Sequence, residues 1–231
     1  MDLTGKVAIV TGGARDIGKQ VTLKLADAGA SVAFNYYGSA DEARATEAQV
    51  KAMGGNVLAI QGDMTRQADV DALVASALSE FGGSIDILVN VSGGLIARKT
   101  LAEMDVDFFK SVIDLKLTST FLTTQACVPH MASGGAIVNL ASQAGRDGGG
   151  PGASAYASGK GAVMTFTRAM AKELGPQNIR VNALCPGMIS TTFHDTFTKD
   201  EVRKNVANAT PLRREGNPGE IADAVLYLAS D

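Results

Sequence analysis

Three side chains in the middle of the sequence have the chemistry of a proton-transfer site. Tyr156 and Lys160 are four positions apart in one helical pattern, so both project from the same helix face. A nearby ammonium stabilises a phenolate, which lowers the tyrosine pKa and makes the phenol a usable general acid or base. Ser142 follows the apolar run 136–140, at a strand end where parallel sheets place functional residues. The alternative is structural: an exposed lysine, a half-buried tyrosine and a loop serine.

A glycine-rich turn, TGGARDIG at 11–18, lies between an apolar run and a helical pattern. A strand that enters a helix through such a turn presents free backbone N–H groups, and these attract phosphate together with the helix dipole. The turn therefore predicts a nucleotide diphosphate site, and the alternative is a tight turn that holds no ligand.

Short apolar runs alternate with helical patterns along the rest of the chain. Near-continuous apolar runs are typical of strands buried on both faces of a parallel sheet. We therefore predict an α/β fold: a single-domain, Rossmann-type, doubly wound parallel sheet over residues 1–231, with six strands. The predicted strands are 7–10, 31–34, 57–60, 85–89, 136–140 and 179–184, and the predicted helices are 17–28, 41–53, 66–80, 153–174 and 218–229.

Composition excludes several other classes of protein. The net charge is -3 and no charge run is present, so we expect no nucleic-acid partner. The sequence shows no N-terminal signal and no membrane-spanning run, and Cys127 and Cys185 are isolated; we expect a soluble, cytoplasmic protein with no membrane partner. His130 and His194 have no ligand-like partners, so we expect no metal site.

In this order along the chain, the glycine turn, Ser142 and the Tyr156–Lys160 pair resemble the short-chain dehydrogenase/reductase family. The likeness spans nearly the whole chain and is strongest to 3-oxoacyl-carrier-protein reductases and sugar-type dehydrogenases. Further matches are NVSG at 90–93, GDMT at 62–65 and VNALCPG at 181–187. The resemblance implies a cofactor-binding set of Gly12, Arg15, Asp16, Ile17, Gly18, Tyr36, Asp63, Met64, Asn90, Ser92, Gly93, Tyr156, Lys160, Pro186, Gly187, Ile189 and Thr191.

The same resemblance implies an NAD(P)-dependent oxidoreductase that interconverts a ketone and a secondary alcohol by hydride transfer. Tyr156 would act as general acid or base, Ser142 would stabilise the oxyanion, and Lys160 would lower the tyrosine pKa and bind the ribose. It also implies a homodimer or homotetramer that packs through helices near 106–131 and 153–174. The competing hypothesis is a nucleotide-binding regulatory or scaffold protein without catalysis.

The sequence departs from the family pattern at four places. Asp16 replaces a glycine, and we expect its carboxylate to cap the first helical turn and point away from the diphosphate. Val91 removes one side-chain amide beside the cofactor. Lys116 stands where the family has a catalytic asparagine, and we expect its side chain to point away from Lys160 because two close ammonium groups repel. The seventh strand of the pattern is absent at the C-terminus.

The cofactor choice depends on the end of the second predicted strand. NAD-preferring relatives carry an acidic residue there, whereas this sequence has Tyr36 in the segment FNYYG. Arg15 matches a basic position that binds the 2′-phosphate in NADP-preferring relatives, although it could instead pair with Asp16 or face solvent. We favour NADP, with NAD as the alternative.

We expect a small carbonyl or alcohol substrate to lie between three loops, at about 93–105, 143–155 and 188–210. Arg98, Lys99, Arg146 and His194 in these loops could receive a carboxylate or phosphate, or could be solvated loop charges.

Overall fold

Within residues 1–94 and 96–230, which the computed structural model describes, six parallel strands form one sheet. Leu95, in the first expected substrate loop, and Asp231, the last residue of the predicted domain, lie outside the described residues. The strands are β1 Val7–Thr11, β2 Ser31–Tyr36, β3 Val57–Gln61, β4 Ile85–Asn90, β5 Met131–Leu140 and β6 Arg180–Leu184. The prediction of a doubly wound parallel sheet is therefore confirmed.

The strand order is β3-β2-β1-β4-β5-β6, so the winding reverses between β1 and β4. Thr11 is in register with Asn90, and Asn90 with Asn139, which brings the carboxyl ends of three strands to one edge. Ligands of open α/β sheets bind at such a reversal point, because the loops that leave the two strands diverge there.

Helices cover both faces of the sheet. They are α1 Asp16–Asp27, α2 Ala40–Ala52, α3 Gln67–Phe81, α4 Val106–Ile113, α5 Ser119–Cys127, α6 Ala144–Asp147, α7 Ser154–Leu174, α8 Thr192–Phe197, α9 Asp200–Ala209 and α10 Pro218–Ala229. The five predicted helices agree with these bounds to within one residue at each end, and α10 was predicted from its first residue to its last.

Two hydrophobic cores lie on opposite faces of the sheet. One packs α1, α2 and α10 against side chains such as Val10 and Phe34, which are fully buried. The other packs α3, α5 and α7 against side chains such as Ile9 and Leu88. Because alternate strand residues enter opposite cores, the strands are apolar on both faces, which explains their near-continuous apolar sequences.

Two elements differ from the expected ones. The helix expected near 106–131 is interrupted by a π-helical turn, Asp114–Thr118, between α4 and α5. Strand β5 begins at Met131 rather than at 136, because its first half is irregular: the pairing with β4 shifts register and Gly134 has a φ of +91°. Residues 131–135 (MASGG) include serine and two glycines, so they do not form an apolar run and the sequence does not predict that half of the strand.

None of the described helices combines the length and apolar character that crossing a bilayer requires.

Candidate active site

A cleft of about 1080 Å³ opens at the carboxyl edge of the sheet, where β1 and β4 diverge. It is lined by every residue of the catalytic and cofactor-binding sets expected from the sequence except Asn90. Side chains from distant parts of the chain therefore meet in one place, as the register of the strand ends requires.

The glycine turn forms one wall of this cleft. Gly12 has a φ of +68°, a conformation that side chains other than glycine rarely adopt. A Cβ on Gly18 would stand 1.9 Å from the Gly12 carbonyl oxygen, so the turn closes only because residue 18 is glycine. The start of α1, with its free N–H groups, faces the cleft. This geometry fits the diphosphate of a dinucleotide, and Gly12, Ile17 and Gly18 would hold it.

Asn35, which the sequence reasoning did not select, fixes this turn. Its side-chain oxygen accepts the Gly12 N–H at 2.8 Å, and its amide nitrogen donates to the Gly62 carbonyl at 2.8 Å. The buried amide therefore joins the ends of β1, β2 and β3. The available signal was a lone asparagine inside the otherwise apolar run of β2.

The expectation for Asp16 is wrong in one respect. Its carboxylate does not cap α1; it accepts the Thr192 backbone N–H at 3.0 Å and the Thr192 hydroxyl at 2.5 Å. Arg15 also donates to the Thr192 hydroxyl at 2.7 Å and lies 3.8 Å from the Asp16 carboxylate. Asp16 has a φ of +52°, outside the helical region, so its side chain is directed across the mouth of the cleft towards α8. We call these contacts the Asp16–Thr192 clasp.

Asn90 does not line the cleft. Its amide nitrogen donates to the Asn139 side chain at 2.9 Å, and its side-chain oxygen accepts the Thr123 hydroxyl at 2.7 Å. Asn139 donates in turn to Thr167 at 3.0 Å. The side chain expected to bind cofactor therefore belongs to a buried network that joins β4, β5, α5 and α7.

Ser142 stands at the start of the segment after β5. Its hydroxyl accepts the Ala144 N–H at 3.2 Å, and the neighbouring Gln143 N–H donates to the Pro186 carbonyl at 2.9 Å. These bonds place the serine beside the loop that follows β6. The Ser142 hydroxyl also acts on Tyr156, whose pKa it lowers.

Tyr156 and Lys160 project from α7 into the same cleft, as their spacing predicts. Burial raises the pKa of Tyr156, while the Ser142 hydroxyl and the Arg98 guanidinium act in the opposite direction. The pKa of Tyr156 is therefore raised overall in the protein alone, and the effect expected from Lys160 stays a prediction. Lys160 is 4% exposed and donates instead to the Leu140 carbonyl; burial lowers its pKa to about 8.

The Lys116 side chain points towards Tyr156 and Lys160, contrary to expectation. It is 1% exposed, its Nζ donates to the Gly94 carbonyl at 2.5 Å, and that Nζ lies 5.5 Å from the centre of the Tyr156 ring. Burial and the Lys160 ammonium lower the pKa of Lys116 to about 6. Both causes favour the uncharged form of the Lys116 amine, which reduces its repulsion with the Lys160 ammonium.

The three expected substrate loops all contribute to the cleft wall and are joined by Arg98. Its Nε donates to the Phe197 carbonyl at 3.2 Å and its Nη1 to the Pro151 carbonyl at 3.3 Å. The adjacent Lys99 N–H donates to the Gly152 carbonyl at 3.1 Å. One side chain thus connects segments that lie about fifty and one hundred residues further along the sequence.

The other basic residues of these loops have different surroundings. His194 lines the cleft, and burial lowers its pKa, which favours the neutral imidazole. Lys99 pairs with Asp105 at 3.6 Å and lies over the Phe108 ring, whereas Arg146 is not part of the cleft wall. Among the described residues, no cluster of three or more His, Cys, Asp or Glu side chains could hold a metal ion.

Comparison with known proteins agrees with this geometry. Residues 12–231 match the family model described as enoyl-(acyl carrier protein) reductase. A 3-oxoacyl-[acyl-carrier-protein] reductase from Synechocystis is 38% identical over 99% of this chain and 91% of its own length.

Two solved structures are similar throughout. A short-chain dehydrogenase/reductase from Serratia marcescens has a TM-score of 0.94 and 36% identity, covering 100% of this chain and 93% of its own. A short chain dehydrogenase from Burkholderia cenocepacia, solved in complex with NADP, has a TM-score of 0.92 and 31% identity, covering 100% of this chain and 93% of its own.

Proposed function

The chain belongs to the short-chain dehydrogenase/reductase family of NAD(P)-dependent oxidoreductases, and on that premise we propose that it interconverts a ketone and a secondary alcohol. The observation that carries this proposal is the convergence of Ser142, Tyr156 and Lys160 on the cleft whose other wall is the glycine turn. A protein that only binds nucleotide has no use for an acid–base tyrosine beside a hydroxyl donor.

Each of the three side chains has a defined task in the proposal. Tyr156 gives its proton to the substrate oxygen during reduction and removes it during oxidation. Ser142 donates its hydroxyl proton in a hydrogen bond to the same oxygen and stabilises the developing negative charge. Lys160 holds the ribose hydroxyls and supplies the positive charge that favours the phenolate. A bound nicotinamide cofactor would supply or accept the hydride.

The residues that line the cleft would accommodate an apolar substituent of the substrate next to the reacting carbonyl. Tyr156, Phe193 and Phe197 form an aromatic row, with ring centres 6.0 Å and 5.5 Å apart between successive members. Ile96 and Val206 also line this part of the cleft. We propose a ketone that carries an apolar substituent, a description that includes the 3-oxoacyl chains named for the Synechocystis relative.

Replacing the acid–base group tests the proposed catalysis. Tyr156→Phe removes only the phenolic oxygen, and we expect kcat/KM for NADPH-dependent reduction of a ketone panel to fall by roughly a hundredfold or more. Cofactor binding, measured by fluorescence titration, should change little. Tyr227→Phe is the matched control, because Tyr227 is 68% exposed and not part of the cleft wall.

The competing function is nucleotide binding without catalysis. The observation that favours it is Lys116, a second buried amine in a centre whose relatives have an asparagine. Tight NADPH binding by the wild type, with no turnover of any ketone or alcohol in the panel, would establish this alternative and reject the proposed reaction.

We further propose a preference for NADP over NAD. Arg15 lines the same cleft as Tyr36, Tyr37 and Gly38 at the end of β2, and none of these three residues carries a carboxylate that would repel a 2′-phosphate. A guanidinium has five N–H donors, so its bond to Thr192 leaves donors for phosphate. The NADP complex of the Burkholderia relative supports the same choice.

Arg15→Ala tests this preference. We expect the Kd for NADPH to rise about tenfold or more and the Kd for NADH to change little, because a charge-assisted bond to phosphate is lost. Arg168→Ala, on the exposed face of α7, is the control. An unchanged ratio of the two dissociation constants, or a wild type that strongly prefers NADH, would contradict the proposal.

We also infer a cytoplasmic setting. Cys127 and Cys185 are free thiols, as expected for a reducing compartment.

A further inference from the structure

Lys116 is one of the largest fully buried side chains of the described residues, and the proposed reaction gives it no task. It lies in the π-helical turn between α4 and α5, behind the cleft wall rather than in it. Its Nζ bonds the carbonyl of Gly94, in the segment that leaves β4 beneath the cofactor site. A buried lysine with one carbonyl partner is costly unless its charge is useful or absent.

The surroundings of Lys116 provide space for its side chain. A Cβ on Gly159 would stand 3.0 Å from both the Cβ and the Cγ of Lys116. A Cβ on Gly93 would stand 3.0 Å from the Cδ of Lys116 and 3.5 Å from the Nζ of Lys160. Two glycines on different elements therefore leave a channel for the lysine stem, and the Lys116 stem and the Lys160 amine both approach Gly93.

The groups that face Lys116 come mainly from α7, which packs against the π-helical turn together with α4 and α5. Tyr156 presents its ring, and Lys160 is the charge that acts on Lys116. Cys185, after β6, acts on Lys160. The other titratable residues of the packed elements are Asp107, Lys110, Asp114, Arg168, Lys172 and Glu173, which are exposed, and Cys127, which is buried in the second core.

We propose that Lys116 is a positioning residue for the proposed reaction: its uncharged amine fixes the Gly94 carbonyl and leaves Lys160 as the single ammonium beside Tyr156. The effect of Lys116 on catalysis rests on the proposed function. The charge states of the two buried amines can be measured whether or not the protein turns over a substrate.

The direction of the pH effect follows from the two pKa values. Lys116, with its pKa lowered to about 6, is neutral above that pH and charged below it. Lys160, with its pKa lowered to about 8, keeps its proton at neutral pH. A permanent charge at position 116 would repel the Lys160 ammonium and make its proton easier to lose. It would also stabilise a Tyr156 phenolate.

The test uses two replacements of Lys116. Lys116→Met keeps the length of the side chain without charge, and Lys116→Arg makes the charge permanent. Lysine-selective carbon-13 labelling with NMR titration of the full chain reports each buried amine, and Lys116→Met and Lys160→Met assign the two signals. Lys110→Met, an exposed lysine on α4, is the control.

We expect titration midpoints of about 6 for Lys116 and about 8 for Lys160 in the wild type. The Lys160 midpoint should be unchanged in Lys116→Met and lower by about one pH unit in Lys116→Arg. In the pH profile of alcohol oxidation, the rising limb should shift to lower pH in Lys116→Arg and stay at the wild-type pH in Lys116→Met. A residue with a merely structural role would change the melting temperature and leave both readouts in place.

Two results would overturn the inference. One is a Lys116 signal that titrates at the pH of an exposed lysine, which would make it an ammonium at neutral pH. The other is a Lys160 midpoint that is the same in the methionine and arginine variants; if the arginine variant does not fold, the wild-type and methionine titrations still decide the charge of Lys116. Absence of turnover with the predicted midpoints intact would reject the proposed function alone.

Discussion

Asp16 shows how a single residue can take a role different from the one its position suggests. Its φ of +52° is a conformation that glycine adopts readily and aspartate adopts at a cost. In this conformation the Asp16 carboxylate forms the Asp16–Thr192 clasp, which joins the glycine turn to α8 across the mouth of the cleft. We expect a dinucleotide that binds the glycine turn to pass this clasp.

Asp16→Gly separates the two effects. The glycine relieves backbone strain and removes the clasp, so the free energies oppose each other and we expect the Kd for NADPH to change by less than about tenfold. Both association and dissociation should become faster in stopped-flow fluorescence, because α8 is no longer tied to the turn. Thr192→Val, which loses the hydroxyl but keeps the backbone N–H, should show a smaller effect in the same direction.

A large loss of NADPH affinity in Asp16→Gly would show that the carboxylate contributes directly to cofactor binding.

At the scale of elements, the position of Ser142 depends on how closely α6 packs against α7. A Cβ on Gly145 would stand 2.8 Å from both the Gly161 nitrogen and the Lys160 carbonyl carbon. The Gly145 N–H donates to the Ser142 carbonyl at 3.0 Å. Any side chain at 145 therefore pushes α6 away from the backbone that carries Lys160 and displaces Ser142 with it.

Gly145→Ala should lower kcat/KM by roughly tenfold to a hundredfold, since displacements of about 1 Å at a reacting centre have effects of that size. The Kd for NADPH should stay close to wild type, because the glycine turn lies on the other wall. Gly175→Ala, where a Cβ meets no atom within 4 Å, is the control. Equal activity of the two variants would mean that α6 and α7 can accommodate the added methyl group without displacing Ser142.

Some features of these elements can be predicted from the sequence and others cannot. Strand positions follow from apolar runs, because both faces of each strand are buried, and the Tyr156–Lys160 pair follows from helical spacing. The π-helical turn, the irregular half of β5 and the contacts of Asn35, Thr192 and Arg98 join residues far apart in the chain. No local pattern encodes such contacts, and no local pattern shows that Lys116 is buried, which is what lowers its pKa.

At the scale of the whole molecule, an apolar face remains uncovered. Val106, Phe109 and Phe121, on α4 and α5, are 61%, 40% and 42% exposed. Phe121 packs edge to face on Phe166 of α7, with ring centres 6.4 Å apart. This is the face through which the family resemblance implies a homodimer or homotetramer, and exposed apolar patches of this kind mark interfaces.

Light scattering coupled to gel filtration tests that assembly. We expect a dimeric or tetrameric mass for the wild type and a smaller mass for Phe121→Asp, because a buried unpaired carboxylate opposes association. Met53→Glu, at an exposed apolar residue on a different surface, should leave the mass unchanged. A monomeric wild type would contradict the expectation.

The strand order has a consequence for how the chain can be shortened. β1 is paired on both sides, to β2 and to β4. The residues nearest the N-terminus therefore occupy the interior of the sheet, while the strands at its two borders come from positions 57–61 and 180–184. Deleting residues 1–12 would split the sheet into two halves with no strand pairing between them, whereas deleting residues 218–230 would remove α10 from one face and leave every strand pairing in place.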